Sequence, residues 1–174
     1  MPTTVLNTPA GETINRESMI LYLNTSTSNS PVWSPLGRRV TDSSIEMDWS
    51  DESSQDILGD TRTTMKKPIL TESFDPYPLD SGDAALSKIY DLAVLQQNAA
   101  ALCNLDMLLV HFYSGATDTP FAERYPQSAI KASSLGGEGG GHLEMPIDVT
   151  FGGTRQTGTA SKGTGGVITF TPAA

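Results

Sequence analysis

The sequence predicts a mainly β fold: an antiparallel β-sandwich or β-barrel with one flanking α-helix and extended arms or a hairpin. Three observations predict it. Leu143 to Phe151 alternates strictly, with Leu143, Met145, Ile147, Val149 and Phe151 on one side and Glu144, Pro146, Asp148 and Thr150 on the other. Leu105 to Tyr113 is too apolar for a half-exposed segment and reads as a central strand buried on both faces. One stretch, from about Gly82 to Leu102, carries apolar residues at helical spacing. At 174 residues the chain is long enough for one well-buried domain, so a single domain over residues 1–174 is expected.

Residues 1–16 are rich in Thr, Pro and Asn without a period, which predicts a flexible arm that becomes ordered on a partner. Ser18 to Asn24 is a short apolar run suited to a first strand. Thr25 to Gly37 has loop composition around Trp33, a large aromatic expected to anchor locally, an intersubunit contact being one form of anchor. Residues 40–74 form an acidic β-hairpin region. Ile45, Met47 and Trp49 alternate with polar neighbours as a half-buried strand requires, and Ile57 and Leu58 precede the turn signal Gly59-Asp60. Thr61 to Met65 then returns, and Lys67 to Phe74 continues with Pro68 favouring an edge or a strand start. Asp75-Pro76-Tyr77-Pro78 breaks the sheet.

The helix over 82–102 takes Asp80 or Ser81 as its N-cap, with Asp83 in the first turn where the macrodipole favours an anion. Leu86, Ile89, Leu92, Ala93 and Ala100 form its apolar stripe, and at 1.5 Å per residue it would be about 30 Å long. Its expected role is packing against the sheet. Arg124 to Ala132 is a strand interrupted at Tyr125-Pro126, Val167 to Phe170 is a last strand, and residues 152–174 make a C-terminal hairpin or arm.

Charge is the most informative property. Formal net charge is -9, and seven carboxylates without a Lys or Arg lie between Val40 and Thr61: Asp42, Glu46, Asp48, Asp51, Glu52, Asp56 and Asp60. Like charges along a strand repel and gain nothing for the fold, so the acidic ribbon is expected to be a wall or a docking surface. Gripping of nucleic acid through phosphate attraction is excluded by the same charge. Arg38, Arg39, Arg62, Lys66 and Lys67 flank the block, and residues 152–174 contain Arg155 and Lys162 with no carboxylate. One strongly negative patch beside mildly positive ones suits head-to-tail association of copies.

Chemistry finds little support. Gly136 to Gly141 lacks the Gly-Lys-Ser/Thr ending of a phosphate loop and holds Glu138 at its centre. His111, His142 and the single Cys103 have no metal-ligand spacing, and no serine sits in a nucleophile elbow. No catalytic residue, cofactor or metal is expected. One cysteine excludes an intrachain disulfide, and no apolar run approaches a membrane span of about 18 residues.

Several motifs resemble those of a known family. They are Leu23-Asn24-Thr25-Ser26-Thr27, Trp33-Ser34-Pro35-Leu36-Gly37-Arg38-Arg39-Val40-Thr41-Asp42, Ile57-Leu58-Gly59-Asp60-Thr61, Pro68-Ile69, and Ser73-Phe74-Asp75-Pro76. Gly136 to Gly141 and Pro146 to Gly153 add to them. On these the chain resembles the major tail tube proteins of tailed bacteriophages. The resemblance implies a β-sandwich or β-barrel subunit, assembled as hexameric rings stacked head to tail into a hollow tube that conducts the phage genome. It further implies an acidic lumen that does not hold passing DNA, and tape-measure, tail-tip and tail-terminator proteins as partners. Location in the virion tail after synthesis in the host cytoplasm would follow. Part of the ribbon from Asp42 to Asp60 is then expected at the lumen or the ring-to-ring interface, with the N-terminal arm, the Trp33 loop and the C-terminal segment reaching neighbours. Two alternatives remain at this point: the inner tube of a contractile injection or bacteriocin particle, and a monomeric acidic DNA mimic.

Overall fold

The computed structural model describes residues 5–174. Its strands are, in order, β1 (Met19–Asn24), β2 (Trp33–Pro35), β3 (Ile45–Asp48), β4 (Glu52–Gln55), β5 (Thr61–Thr64), β6 (Ile69–Phe74), β7 (Leu105–Gly115), β8 (Pro120–Ala132), β9 (Ile147–Thr150), β10 (Gln156–Lys162) and β11 (Ile168–Pro172). All pair antiparallel. The first half of β8 pairs with β7 and β10 and its second half with β9. One sheet therefore runs β2-β1-β7-β8-β10-β11 and the second β8-β9-β6-β3.

The long strand β8 turns from one sheet to the other where the sequence suggested an interruption. Pro126 has no N–H for a ladder, and a register shift between Leu105 and Met107 marks the bulge that bends the strand. A proline inside a strand here creates a corner, and the strand continues beyond it.

Two cores follow from the period of the strands. Leu23, Met107, Leu109, Tyr77, Ile147 and Val149 belong to the larger cluster, completed by Leu86 and Ile89 of the helical segment. Leu108, Val110, Tyr22, Trp33, Ala122 and Ile168 form a second cluster. Alternate residues of β7 thus enter different cores, as its continuous apolar run requires. Each such side chain stabilises by roughly 1.5–3 kcal/mol when fully buried. Met145, Ile147, Val149 and Phe151 are buried as expected, whereas Leu143, ahead of the strand, is exposed.

The helical segment flanks the sheets, but it is not one continuous helix over 82–102. An α-helix, α1 (Ala84–Tyr90), passes into a π-helical turn at Asp91–Leu95, and a short helix, α2 (Ala99–Leu102), starts anew. Gln97 is left-handed (φ 49°), and the Asn98 side chain accepts from the Ala101 N–H at 3.0 Å, capping the second piece. Ala100 of the predicted stripe is consequently exposed. The N-cap is Asp83, not Asp80 or Ser81; its Oδ1 accepts from the Leu86 N–H at 3.0 Å.

Asp83 has a second task. Its Oδ2 accepts from the Tyr77 hydroxyl at 2.8 Å, and that hydroxyl accepts from the Gly37 N–H at 2.9 Å. Burial first, then the Asp83 charge, pushes the Tyr77 hydroxyl far above its ordinary value, so it remains a donor. Tyr77→Phe strands two buried polar groups and is expected to cost about 2 kcal/mol. Thermal unfolding should show a fall of roughly 4–8 °C, and an unchanged midpoint would contradict the role given to this hydroxyl.

The described part of the N-terminal arm lies along the end of β7. Asn7 donates its backbone N–H to the Tyr113 carbonyl at 2.9 Å, and Ser114 Oγ donates to the Val5 carbonyl at 2.7 Å. Residues 1–4 of the arm lie outside the described residues. At the other end β10 and β11 make a hairpin, within which Gly158 permits close backbone approach: a Cβ there would sit 2.1 Å from the Thr171 carbonyl oxygen. Among the described residues no helix is long and apolar enough to cross a membrane.

Candidate assembly surface

The acidic region is a hairpin in two stages. β3 pairs with β6 in the second sheet, and β4 with β5 as a separate two-stranded ribbon beyond it. Between them the chain kinks at Ser50 (φ 44°), whose N–H donates to Asp48 Oδ1 at 2.9 Å. At the tip Asp56 Oδ1 accepts from the N–H groups of Leu58 at 2.9 Å and Asp60 at 3.0 Å, and Gly59 (φ 90°) supplies the left-handed position.

Every residue from Glu46 to Lys67 is exposed. The half-buried strand expected from Ile45, Met47 and Trp49 is therefore corrected: Ile45 is half-buried, but Met47 is 58% and Trp49 46% exposed. The alternation is real, yet among the described residues no second layer buries Met47, Trp49 or either face of the outer ribbon. Met65 is also exposed, and at the tip Ile57 is 102% and Leu58 82% exposed. A two-stranded ribbon with bare apolar side chains is marginal in water on its own.

All seven predicted carboxylates, Asp42, Glu46, Asp48, Asp51, Glu52, Asp56 and Asp60, are on the surface. Glu46 and Asp48 share one side of β3 by its period of two. Asp51 lies at the kink, and Asp56 and Asp60 at the tip, where Asp56 shapes the turn. Of the flanking cations, Lys66 Nζ is 3.5 Å from Glu52 Oε1, an exposed pair worth at most about 1 kcal/mol. Arg62 and Lys67 are exposed on the same hairpin, and Arg38 is exposed after β2. Arg39 pairs with Asp80 at 3.3 Å.

Besides Arg39 and Lys66, two more of the expected intersubunit residues are engaged inside the subunit. Trp33 lies in a short strand, its ring buried in the second core and covered by the Arg124 guanidinium 5.9 Å away. It is the local anchor. Arg155 Nε donates to Glu123 Oε2 at 2.9 Å. Lys162 is exposed at the end of β10.

Sequence reasoning missed the cluster that Arg155 enters. Glu123 of β8 is buried; Tyr125 donates its hydroxyl to it, and His111 Nε2 of β7 lies 3.4 Å from Glu123 Oε1. The other imidazole nitrogen, Nδ1, hydrogen-bonds the Tyr113 hydroxyl at 2.8 Å. Burial raises the Glu123 carboxyl, but His111, Arg155 and Tyr125 outweigh it and hold the group far below the usual carboxylate range. These residues are distant in sequence and meet through the pairing of β7, β8 and β10, so no spacing signals them. A second missed group is Arg16, Ser43 and Glu72, where Ser43 donates to Glu72 Oε1 at 2.9 Å.

These features describe a two-sheet β-sandwich whose sheets share one strand and whose acidic hairpin projects from the body. The same fold occurs in a sheath/tube terminator of an extracellular contractile injection system, PVC, solved in the extended state: TM-score 0.52, 8% identity, covering 86% of this chain and 99% of that one. The chain shares its fold with that terminator. Also similar are the PVC sheath–tube complex, at TM-score 0.47 and 9% identity over 86% of this chain and 94% of that one, and the terminating cap of the anti-feeding prophage tube, at 0.44 and 13% over 87% and 95%. At such identities the likeness is one of fold. No protein-family model and no curated protein matches the sequence.

Proposed function

We propose that the protein, as a single tail-tube-like domain over residues 1–174, is a structural subunit of the virion tail that associates with copies of itself. It forms hexameric rings, stacked head to tail as a hollow tube through which the genome leaves. The observation that carries this reading is the hairpin from Glu46 to Lys67, exposed throughout and bearing unpartnered apolar side chains with its carboxylates. A strictly monomeric DNA mimic would have no use for Ile57, Leu58 and Trp49 in water. The acidic residues of the ribbon face the lumen or the ring-to-ring contact, and a carboxylate-lined bore repels the phosphates that pass through it. Tape-measure, tail-tip and terminator proteins meet this subunit at the ends of the tube. A second reading, a tube or terminator subunit of a contractile injection particle, is favoured by the likeness to the PVC sheath/tube terminator.

The test is the quadruple variant Glu46→Lys, Asp48→Lys, Asp51→Lys and Glu52→Lys. All four side chains are exposed, so the subunit should fold as before. Particles carrying it are expected to stack poorly or to release DNA slowly. Wild-type tube length together with wild-type infectivity would overturn the role given to the acidic ribbon. The presence or absence of a sheath on native particles separates the two readings.

A further inference from the structure

A cleft of about 770 Å³ opens between the start of β1 and the β3–β6 pair, with Met19, Leu36 and Phe74 among its apolar lining. Glu72 lines it and is 2% exposed. Its Oε1 accepts from Arg16 Nη2 at 3.2 Å and from Ser43 Oγ at 2.9 Å. Its Oε2 is enclosed, and no described residue donates to it. An enclosed carboxylate oxygen without a donor forfeits its hydration for nothing in return, which is rare in a finished structure. The lining holds Arg16 and Arg38 against Glu17, Asp42 and Glu72, a net negative balance suited to one more cation.

A matching cation lies at the opposite edge of the first sheet. That sheet begins with β2 and β1, beside the cleft, and ends with the β10–β11 hairpin. Lys162 stands where this hairpin turns. It is exposed, has no ion-pair partner among the described residues, and is close to the exposed Val167, whose carbonyl accepts from the Gly163 N–H at 2.8 Å. With Arg155 engaged by Glu123, Lys162 is the cation that the carboxylate-free segment 152–174 offers to a neighbour.

We propose that Lys162 of one copy enters the cleft of the next and draws the Glu72 carboxylate out to meet it, so that Oε2 gains its donor, with Val167 following onto the apolar wall. The inference rests on the self-assembly reading and names the contact it uses. Two different surfaces on opposite edges of one sheet make a heterologous contact, and such contacts close into a ring when the rotation between copies permits. A charge-assisted hydrogen bond shielded from water adds specificity for this register over others.

The test uses the full chain. Two proteins are made in a Cys103→Ser background, one with Ser43→Cys in the cleft and the other with Lys162→Cys on the hairpin, and are mixed under mild oxidation. A covalent heterodimer formed from the mixture is expected. In sedimentation velocity, Lys162→Ala and the shape-conserving Glu72→Gln should each weaken self-association roughly 10- to 100-fold, the effect of one hydrogen bond to a charged group. Lys162→Ala touches no core residue, so it reports even if Glu72→Gln loosens the subunit. Wild-type protein that assembles while the cross-link fails and Lys162→Ala assembles equally well would overturn this contact and leave self-assembly standing. Protein that stays monomeric at every concentration, with no cross-link, would overturn both.

Discussion

Replacing Trp49, Ile57 and Leu58 together with serine is expected to abolish the proposed self-association while leaving the isolated subunit as stable as before. The three side chains are 46%, 102% and 82% exposed and none belongs to either core cluster, so their removal opens no cavity in the core. Burial of each at a contact between copies is worth roughly 1–2 kcal/mol after the loss of side-chain freedom. Three of them amount to a factor of 10² or more in the association constant of one contact. A ring repeats that contact at each subunit, so assembly responds far more steeply than a single pair. Circular dichroism melts unchanged within about 0.5 kcal/mol, with no particles by electron microscopy, is the expected pair of results. Particles formed normally by this variant would remove the hairpin from the interface.

The second large effect concerns the cluster that sequence reasoning missed. Glu123→Gln is expected to destabilise the subunit by about 3 kcal/mol at neutral pH, because the buried carboxylate that accepts from Arg155 and Tyr125 is replaced by a neutral amide whose NH2 can meet those donors. In a chain of this size that corresponds to a fall of roughly 6–12 °C in melting temperature. The pH dependence follows from the depressed folded-state carboxyl. Its contribution is present in full above the unfolded carboxylate value, near pH 4.3, and is lost as pH falls below that toward the folded value. The gap between wild type and variant should therefore be widest at pH 7 and narrower at pH 3. His111, Tyr113, Tyr125 and Arg155 surround this carboxylate, and an equal gap at both pH values would assign the loss to packing alone.

Local pattern carried much of the fold. The alternation after Leu143 and the apolar run from Leu105 were legible because each side chain there meets a core and the period of a strand decides which one. The turn at Gly59 and the hairpin from Gln156 were legible from glycine and small polar residues. What stayed hidden depends on layers. Met47 and Trp49 alternate as a buried strand would, yet no described residue covers them, and a single chain's pattern does not say whether such a face is covered by its own subunit. The helix break at Gln97 was hidden because Gln-Gln-Asn contains neither proline nor glycine, and Asn98 acts through its side chain as a cap. Trp33 in a Ser- and Pro-rich stretch read as a loop, although three residues paired to β1 suffice to bury its ring. The clusters around Glu123 and Glu72 come from strands far apart in the chain, and only sheet topology brings them together.

Negative-stain electron microscopy of the purified protein at high concentration, with sedimentation velocity on the same sample, tests the central claim most directly. The account predicts rings or hollow tubes, and sedimenting species well above the 18.5 kDa of one chain. A single monomeric species at every concentration, with no ring or tube on the grid, would contradict it.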